Sequence, residues 1–214
     1  DVYMKGKVER ISPEAPVPIV SVTETFSRLG GAANVAQNLK GLGAKPILCS
    51  IIGNDDKSNE LLSLMSEQNM TTSGIVKSDE RITTRKVRII SNNAQMLRVD
   101  IENTFDLTEK EHSLLMTEIK NIINNEKIDG IILQDYNKGV LTENIIKEVV
   151  AIANEKNIPV GVDPKKKNFL SYKNVTLFKP NLKELREGLG ITVKDESIEE
   201  ITKDLAKGVK LVAV

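Results

Sequence analysis

The chain has no tryptophan, one cysteine and one histidine, and aromatic residues make up only 3% of its 214 positions. Each scarcity excludes something. Three Tyr and four Phe give nucleobases no stacking platform, and 30 Lys+Arg against 30 Asp+Glu leave no net field to attract nucleic acid. A sole histidine, His112, removes zinc sites and Ser-His-Asp triads. It follows Glu111 of a Thr108-x-x-Glu111 capping box, which places it on a solvated first helical turn without a role. Cys49 can form no internal disulfide, which suits a reducing cytoplasm, and its apolar run 47–52 reads as the setting of a buried, inert thiol. No segment reaches the ~18 unbroken apolar residues of a membrane helix, and no charged-then-apolar leader opens the chain. A soluble protein with neither membrane nor nucleic-acid partners is expected.

What is present is alternation. Strand-length apolar runs at 46–52, 130–133, 159–162, 175–178 and 210–214 alternate with helical periodicity over 32–42, 57–68, 108–124, 142–156 and 197–207. The last of these helices opens with a second capping box, Ser197-x-x-Glu200. Short, mostly uncharged strands between amphipathic helices predict one α/β domain, a mostly parallel sheet with helices on both faces. Ligands in such sheets gather beyond the carboxyl ends of the strands. The segment 5–22 is strand-like but carries Pro13, Pro16 and Pro18, which confine it to an edge. Across 81–101, two strand patterns flank Ser91-Asn92-Asn93-Ala94, a hairpin signal because Asn tolerates positive φ. Leu97, Val99 and Ile101 share one face there, and Met96, Arg98 and Asp100 the other. A small antiparallel sheet follows, whose apolar face calls for a twin and hence a homodimer.

Between Gly30 and Gly53 the chain reads GGAANVAQNLKGLGAKPILCSIIG. Paired glycines let a backbone approach a ligand, and the amide of Asn34, on the first helical turn, both donates and accepts, as a polyol requires. A purely structural reading is equally open, since Val35, Leu39 and Leu42 keep helical spacing and Gly43 supplies a stop. Three more stretches stand out. Asp135 and Lys138-Gly139 follow a strand, Asp163-Pro164-Lys165 ends another, and Asn181-x-x-Glu184 starts a helix, where a capping box alone accounts for both residues. A Walker loop, a G-x-G-x-x-G turn and a protein-kinase H-R-D are all absent.

The positions of Gly30, Gly31, Ala32, Asn34, Ala36, Gly43 and Gly53 resemble the first signature of the ribokinase and phosphofructokinase-B sugar kinases. The segments RISPEAPVPIV, IGNDD, QDYNKGVL, VDPK and KPNLKE are similar, in order, to those of bacterial D-glycero-β-D-manno-heptose-7-phosphate kinases. The resemblance implies a ribokinase-like fold with a β lid that doubles as the dimer contact. It also implies ATP and Mg2+ as cofactors and transfer of phosphate to C1 of a heptose 7-phosphate, towards ADP-heptose and lipopolysaccharide. It assigns the sugar to Asp1, Gly30, Gly31 and Asn34. Asp135 and Lys138 fall to the substrate as well. Of the lid cations Arg10, Arg85, Lys86, Arg88 and Arg98, it is Arg98 that is preferred, with Lys138, for the substrate phosphate. Nucleotide contacts are expected from Asp163, Lys165, Asn181, Leu182, Lys183 and Glu184, with Glu184 organising magnesium through water. The family's Gly-Ala-Gly-Asp turn, which carries the catalytic base, has no counterpart here. The base is therefore expected beyond Val214, in a domain truncated at both ends whose residues 1–214 alone transfer no phosphate. The alternatives are another sugar kinase of ribokinase or fructokinase type, and a non-catalytic sugar-binding dimerisation module.

Overall fold

A computed structural model describes residues 1–190 and the backbone of 209–212. The helix expected over 197–207, with its capping box, and residues 213–214 lie outside the described residues. The chain forms two compact units, Asp1–Asn103 and Thr104–Val214.

The first unit opens with β1 (Val2–Ile11) and β2 (Pro18–Ser27), then α1 (Gly31–Gly41), β3 (Ser50–Gly53), α2 (Asp56–Glu67), β4 (Ile75–Ser78), β5 (Arg85–Ser91) and β6 (Ala94–Ile101). Four of the strands make the sheet anticipated as a lid, and so called below, in the order β2-β1-β5-β6. The strand expected over 5–22 is in fact a hairpin, with Pro13 and Pro16 in its loop and Pro18 at the first position of edge strand β2, where no ladder hydrogen bond is lost. The second hairpin turns as expected at Asn92 and Asn93, with φ of 50° and 61°. The lid is mixed rather than antiparallel. β5 joins β1 in parallel, with Tyr3 opposite Arg88, because the chain returns to β1 only after the long excursion through α1 to β4.

The strand expected over 46–52 shortens to β3 and pairs in parallel with β4, which its brevity hid in the sequence. Since β3 starts only at Ser50, Cys49 precedes it and is half-buried rather than buried. Leu29, Ala33, Ala36, Met65 and Met70 form a core of the unit with Leu48, Leu61, Leu64 and Ile75. The small residues of α1 let that helix sit close. Asp55 ties the unit together by accepting at Oδ1 from the Ser58 N–H (2.9 Å), capping α2, and at Oδ2 from the Thr83 N–H (2.8 Å).

The second unit runs α3 (Glu109–Asn125), β7 (Ile131–Gln134), α4 (Glu143–Glu155), β8 (Val160–Asp163), a 3-10 turn (Lys166–Asn168), β9 (Val175–Phe178), α5 (Leu182–Leu189) and β10 (Val209–Val212). Its sheet is wholly parallel, in the order β10-β9-β8-β7. Val160, Val162, Val175 and Phe178 from the strands and Ile145, Ile146, Val149 and Ala153 from α4 are all at most 3% exposed. Those strand positions supply the apolar runs read in the sequence, while β8 alternates buried with half-buried residues and Ile132 of β7 is 50% exposed. Thr108 caps α3 in a full capping box with Glu111. His112, expected to be solvated, is instead half-buried, with Nε2 at 2.8 Å from Oε1 of Glu148 on α4. Two adjoining helices leave a first-turn side chain little access to water.

Candidate active site

In the first unit, Gly30 and Gly31 serve different ends. Gly30 has ordinary extended backbone, but a Cβ there would meet the Asp1 carboxyl carbon at 2.8 Å, so its bareness makes room for that carboxylate. Gly31, the first residue of α1, has φ 53°, a conformation glycine adopts without steric cost. Arg88 holds the Asp1 carboxylate from β5, with Nη1 to Oδ1 at 3.0 Å, an ion-pair distance at which Nη1, itself buried, lacks hydrogen-bond alignment. Asn34 projects from the first turn, exposed, and its side chain makes no hydrogen bond among the described residues. An aspartate, a glycine turn and an uncommitted amide therefore adjoin one helix start. The lid cations fare unequally. Lys86 donates to Asp100 and Glu102, and Arg98 donates through Nε and Nη2 to Asp100 at 2.8 and 3.1 Å.

In the second unit, polar groups gather at the carboxyl ends of β7, β8 and β9. Asp163, the last residue of β8, accepts from Gln134 Nε2 (2.6 Å) and pairs with Lys179 (3.0 Å) and Lys165 (3.7 Å). Partial burial alone would raise its pKa, but hydrogen bonds from Lys179 and Gln134 and the nearby ammonium charges hold it below the usual carboxylate range. Lys165 also pairs with Glu184. Burial works against its charge, yet Glu184 and Asp163 keep its pKa raised. Asn181 and Glu184 realise the capping box in full, each accepting from the other's N–H at 2.9 Å. One Glu184 oxygen serves the cap and the other serves Lys165, so an inner-sphere metal bond would displace an existing contact. A water-mediated one would not, which suits magnesium, an ion that retains its waters. Leu182 and Lys183 sit exposed on the first turn of α5.

The loop after β7 is locked. Asp135 is 2% exposed and accepts from the Asn137 N–H (2.7 Å) and the Tyr172 hydroxyl (2.8 Å). Burial and the Asp135 charge push the Tyr172 hydroxyl far above the phenol range, so it stays a donor. Asn137 has φ 52°, and Gly139 has φ 76° with its Cα facing the Phe105 carbonyl, where a Cβ would fall 1.8 Å from the oxygen. This bent loop presents Lys138. Asp135 thus shapes the loop from within rather than offering a bare carboxylate. Sequence reasoning missed Gln134, Tyr172 and Lys179. Two of these lie inside segments singled out above, adjacent to the residues chosen, and Tyr172 gives no signal because its partner is distant in sequence.

A family model described as pfkB family carbohydrate kinase matches residues 2–214. The chain is 41% identical over 206 residues to the Bifunctional protein HldE of Aliarcobacter butzleri, covering 96% of this chain and 43% of that protein. It is 38% identical to the protein of the same name from Geobacter sulfurreducens, over 92% of this chain and 40% of the relative. The chain therefore spans about two fifths of the length of these curated relatives. Among solved structures, the tetrameric inhibited form of Escherichia coli phosphofructokinase-2 superposes with a TM-score of 0.76 at 18% identity, covering 100% of this chain and 69% of that one. Arabidopsis thaliana ribokinase complexed with ribose and ATP gives 0.65 at 16%, covering 99% and 67%. At such identities the likeness establishes a ribokinase-like α/β fold. With a matching family model running through nearly every residue and close sequence relatives besides, the chain belongs to the pfkB family of carbohydrate kinases.

Proposed function

We propose that the protein is an ATP-dependent kinase that phosphorylates D-glycero-D-manno-heptose 7-phosphate at C1, in the synthesis of ADP-heptose. The observation that carries the sugar reading is the Asp1 carboxylate, seated against Gly30 and held by Arg88, next to an exposed and uncommitted Asn34. A carboxylate accepts from hydroxyls and an amide does both, so the set suits vicinal diols. The similarity to the HldE proteins supports the heptose over ribose or fructose 6-phosphate.

In the second unit, Lys165, Lys179, Lys183, Asn181 and the start of α5 would receive nucleotide phosphates, with Asp163 and Glu184 steering the lysines. Lys138, on its locked loop, remains a candidate for the substrate phosphate. ATP with Mg2+ supplies the transferable phosphoryl group and neutralises its charge. Positioning of the acceptor by Asp1 and Asn34 is this chain's own contribution. We further infer a homodimer through the lid. Its apolar face carries Val87, Ile89, Leu97 and Val99, of which Leu97 is 55% exposed and Val99 39%.

The test is phosphoryl transfer from ATP by the full-length enzyme followed by 31P NMR, with heptose 7-phosphate, the unphosphorylated heptose, ribose and fructose 6-phosphate as acceptors. An anomeric phosphate resonance appearing with heptose 7-phosphate in preference to the others is expected. Preference for ribose or fructose 6-phosphate would move the protein elsewhere in the family.

A further inference from the structure

One face of the lid sheet carries charge and aromatics together. Register places Tyr3 of β1 opposite Phe26 of β2 and Arg88 of β5. Alternation along the strands adds Asp1 and Lys5 to that face beside Tyr3, and Glu24 and Arg28 beside Phe26. The two rings stack at 5.0 Å and 7°. Three cations surround them. Lys5 Nζ lies 4.9 Å from the Phe26 centroid, Arg88 Cζ lies 5.4 Å from that of Tyr3, and Arg28 Cζ lies 5.2 and 5.7 Å from Phe26 and Tyr3.

Two of the three charges are answered. Lys5 pairs with Glu24 at 3.6 Å and Arg88 with Asp1 at 3.0 Å. Arg28 is exposed, and among the described residues no carboxylate pairs with it. Glu60, which the adjacent Ser27 contacts, is engaged by Ser27 and Lys57. Of the three cations around the rings, Arg28 alone has no carboxylate within ion-pair distance among the described residues. Arg28 is nonetheless held in place, because its guanidinium lies within cation–π reach of two rings while it still carries N–H donors. Its position is also informative. The Arg28 N–H donates to the Asp1 carbonyl at 2.9 Å, and the residue lies two places before Gly30, against which the Asp1 carboxylate rests.

We propose that Arg28 recognises the phosphate of a phosphorylated sugar bound at Asp1, Gly30 and Asn34, and so sets the preference for sugar phosphates over plain sugars. The inference rests on the reading of those residues as sugar contacts. A guanidinium fork offers parallel donors matched to two phosphate oxygens. Arg98 and Lys86 on the same sheet are already engaged by carboxylates.

The experiment is titration calorimetry of the protein with heptose 7-phosphate and with the unphosphorylated heptose, repeated for Arg28→Met and Arg28→Gln. The wild type should bind the 7-phosphate more tightly. Both variants should lose that preference by roughly 10- to 150-fold, the range for a hydrogen bond to a charged group, while their affinity for the heptose and their melting stay as in wild type. A preference that survives in both variants would overturn the proposal. An equal loss for both ligands would also overturn it, since Arg28 would then be supporting the sugar site as a whole. A wild type that binds both ligands equally leaves the sugar site standing and removes phosphate recognition. Binding of neither ligand defeats the sugar reading itself, and this inference with it.

Discussion

The two four-stranded sheets of this protein spend their residues in opposite ways. In the lid, β6 leaves Met96, Leu97 and Val99 between 39% and 55% exposed, and one face bears Tyr3, Phe26 and their cations. In the parallel sheet, β8 and β9 bury Val160, Val162, Val175 and Phe178 almost completely. A strand with one wet face can carry function along its whole length. A strand whose apolar side chains are packed into the core carries it at its end, which is where Gln134, Asp163 and Lys179 lie.

The contrast breaks most visibly at Phe178. It is 1% exposed and meets Phe169 edge-on at 5.0 Å, so Phe178→Ala should destabilise the protein by about 3–5 kcal/mol in urea unfolding. A loss below about 1 kcal/mol would show that the parallel sheet tolerates a void as the lid would.

Next in size is a pair of site substitutions, one on each unit. Asn34→Ala should cost about 1–3 kcal/mol of sugar affinity by calorimetry while melting is unchanged, since its side chain makes no hydrogen bond within the described residues. In the full-length enzyme Glu184→Gln should keep the cap but lose the charge facing Lys165, lowering kcat about tenfold or more and altering its magnesium dependence. Normal kinetics across a magnesium series would leave Glu184 a helix cap alone.

A smaller effect concerns acid. The Asp163 pKa is lowered in the folded protein, so its contribution to stability is complete above the usual carboxylate value of ~3.9. It is lost as pH falls below that value through the folded pKa. Unfolding free energy should decline below about pH 4, and Asp163→Asn should flatten that decline. Lys179 is more than half exposed, so water screens the pair and the flattening should be modest. An identical acid slope in the variant would assign the loss to other carboxylates.

The smallest change in folding stability is expected at Leu97, half out in solvent. Leu97→Asp should alter the dilute-limit unfolding free energy by no more than about 0.5 kcal/mol. If the apolar lid face joins two copies, the same variant halves the mass seen by light scattering. An unchanged dimer would place the contact elsewhere.

The sequence by itself determined the elements whose signals are local. The Thr108 and Asn181 capping boxes, the Asn92-Asn93 turn and the apolar run 175–178 all appear where their residues demand, because a cap or a tight turn is decided within a few positions. It also determined that Gly30, Gly31 and Asn34 stand at one helix start. What only the tertiary structure decided is long-range pairing. Arg88 finds Asp1 across the parallel junction of β5 and β1, Tyr172 finds Asp135 from 37 positions away, and the prolines at 13 and 16 prove to be a hairpin loop. The same holds for Arg28, whose approach to Phe26 and Tyr3 depends on the register between two strands. Such contacts join residues that share no spacing rule, and closing the chain around them is set by the whole core rather than by any local motif.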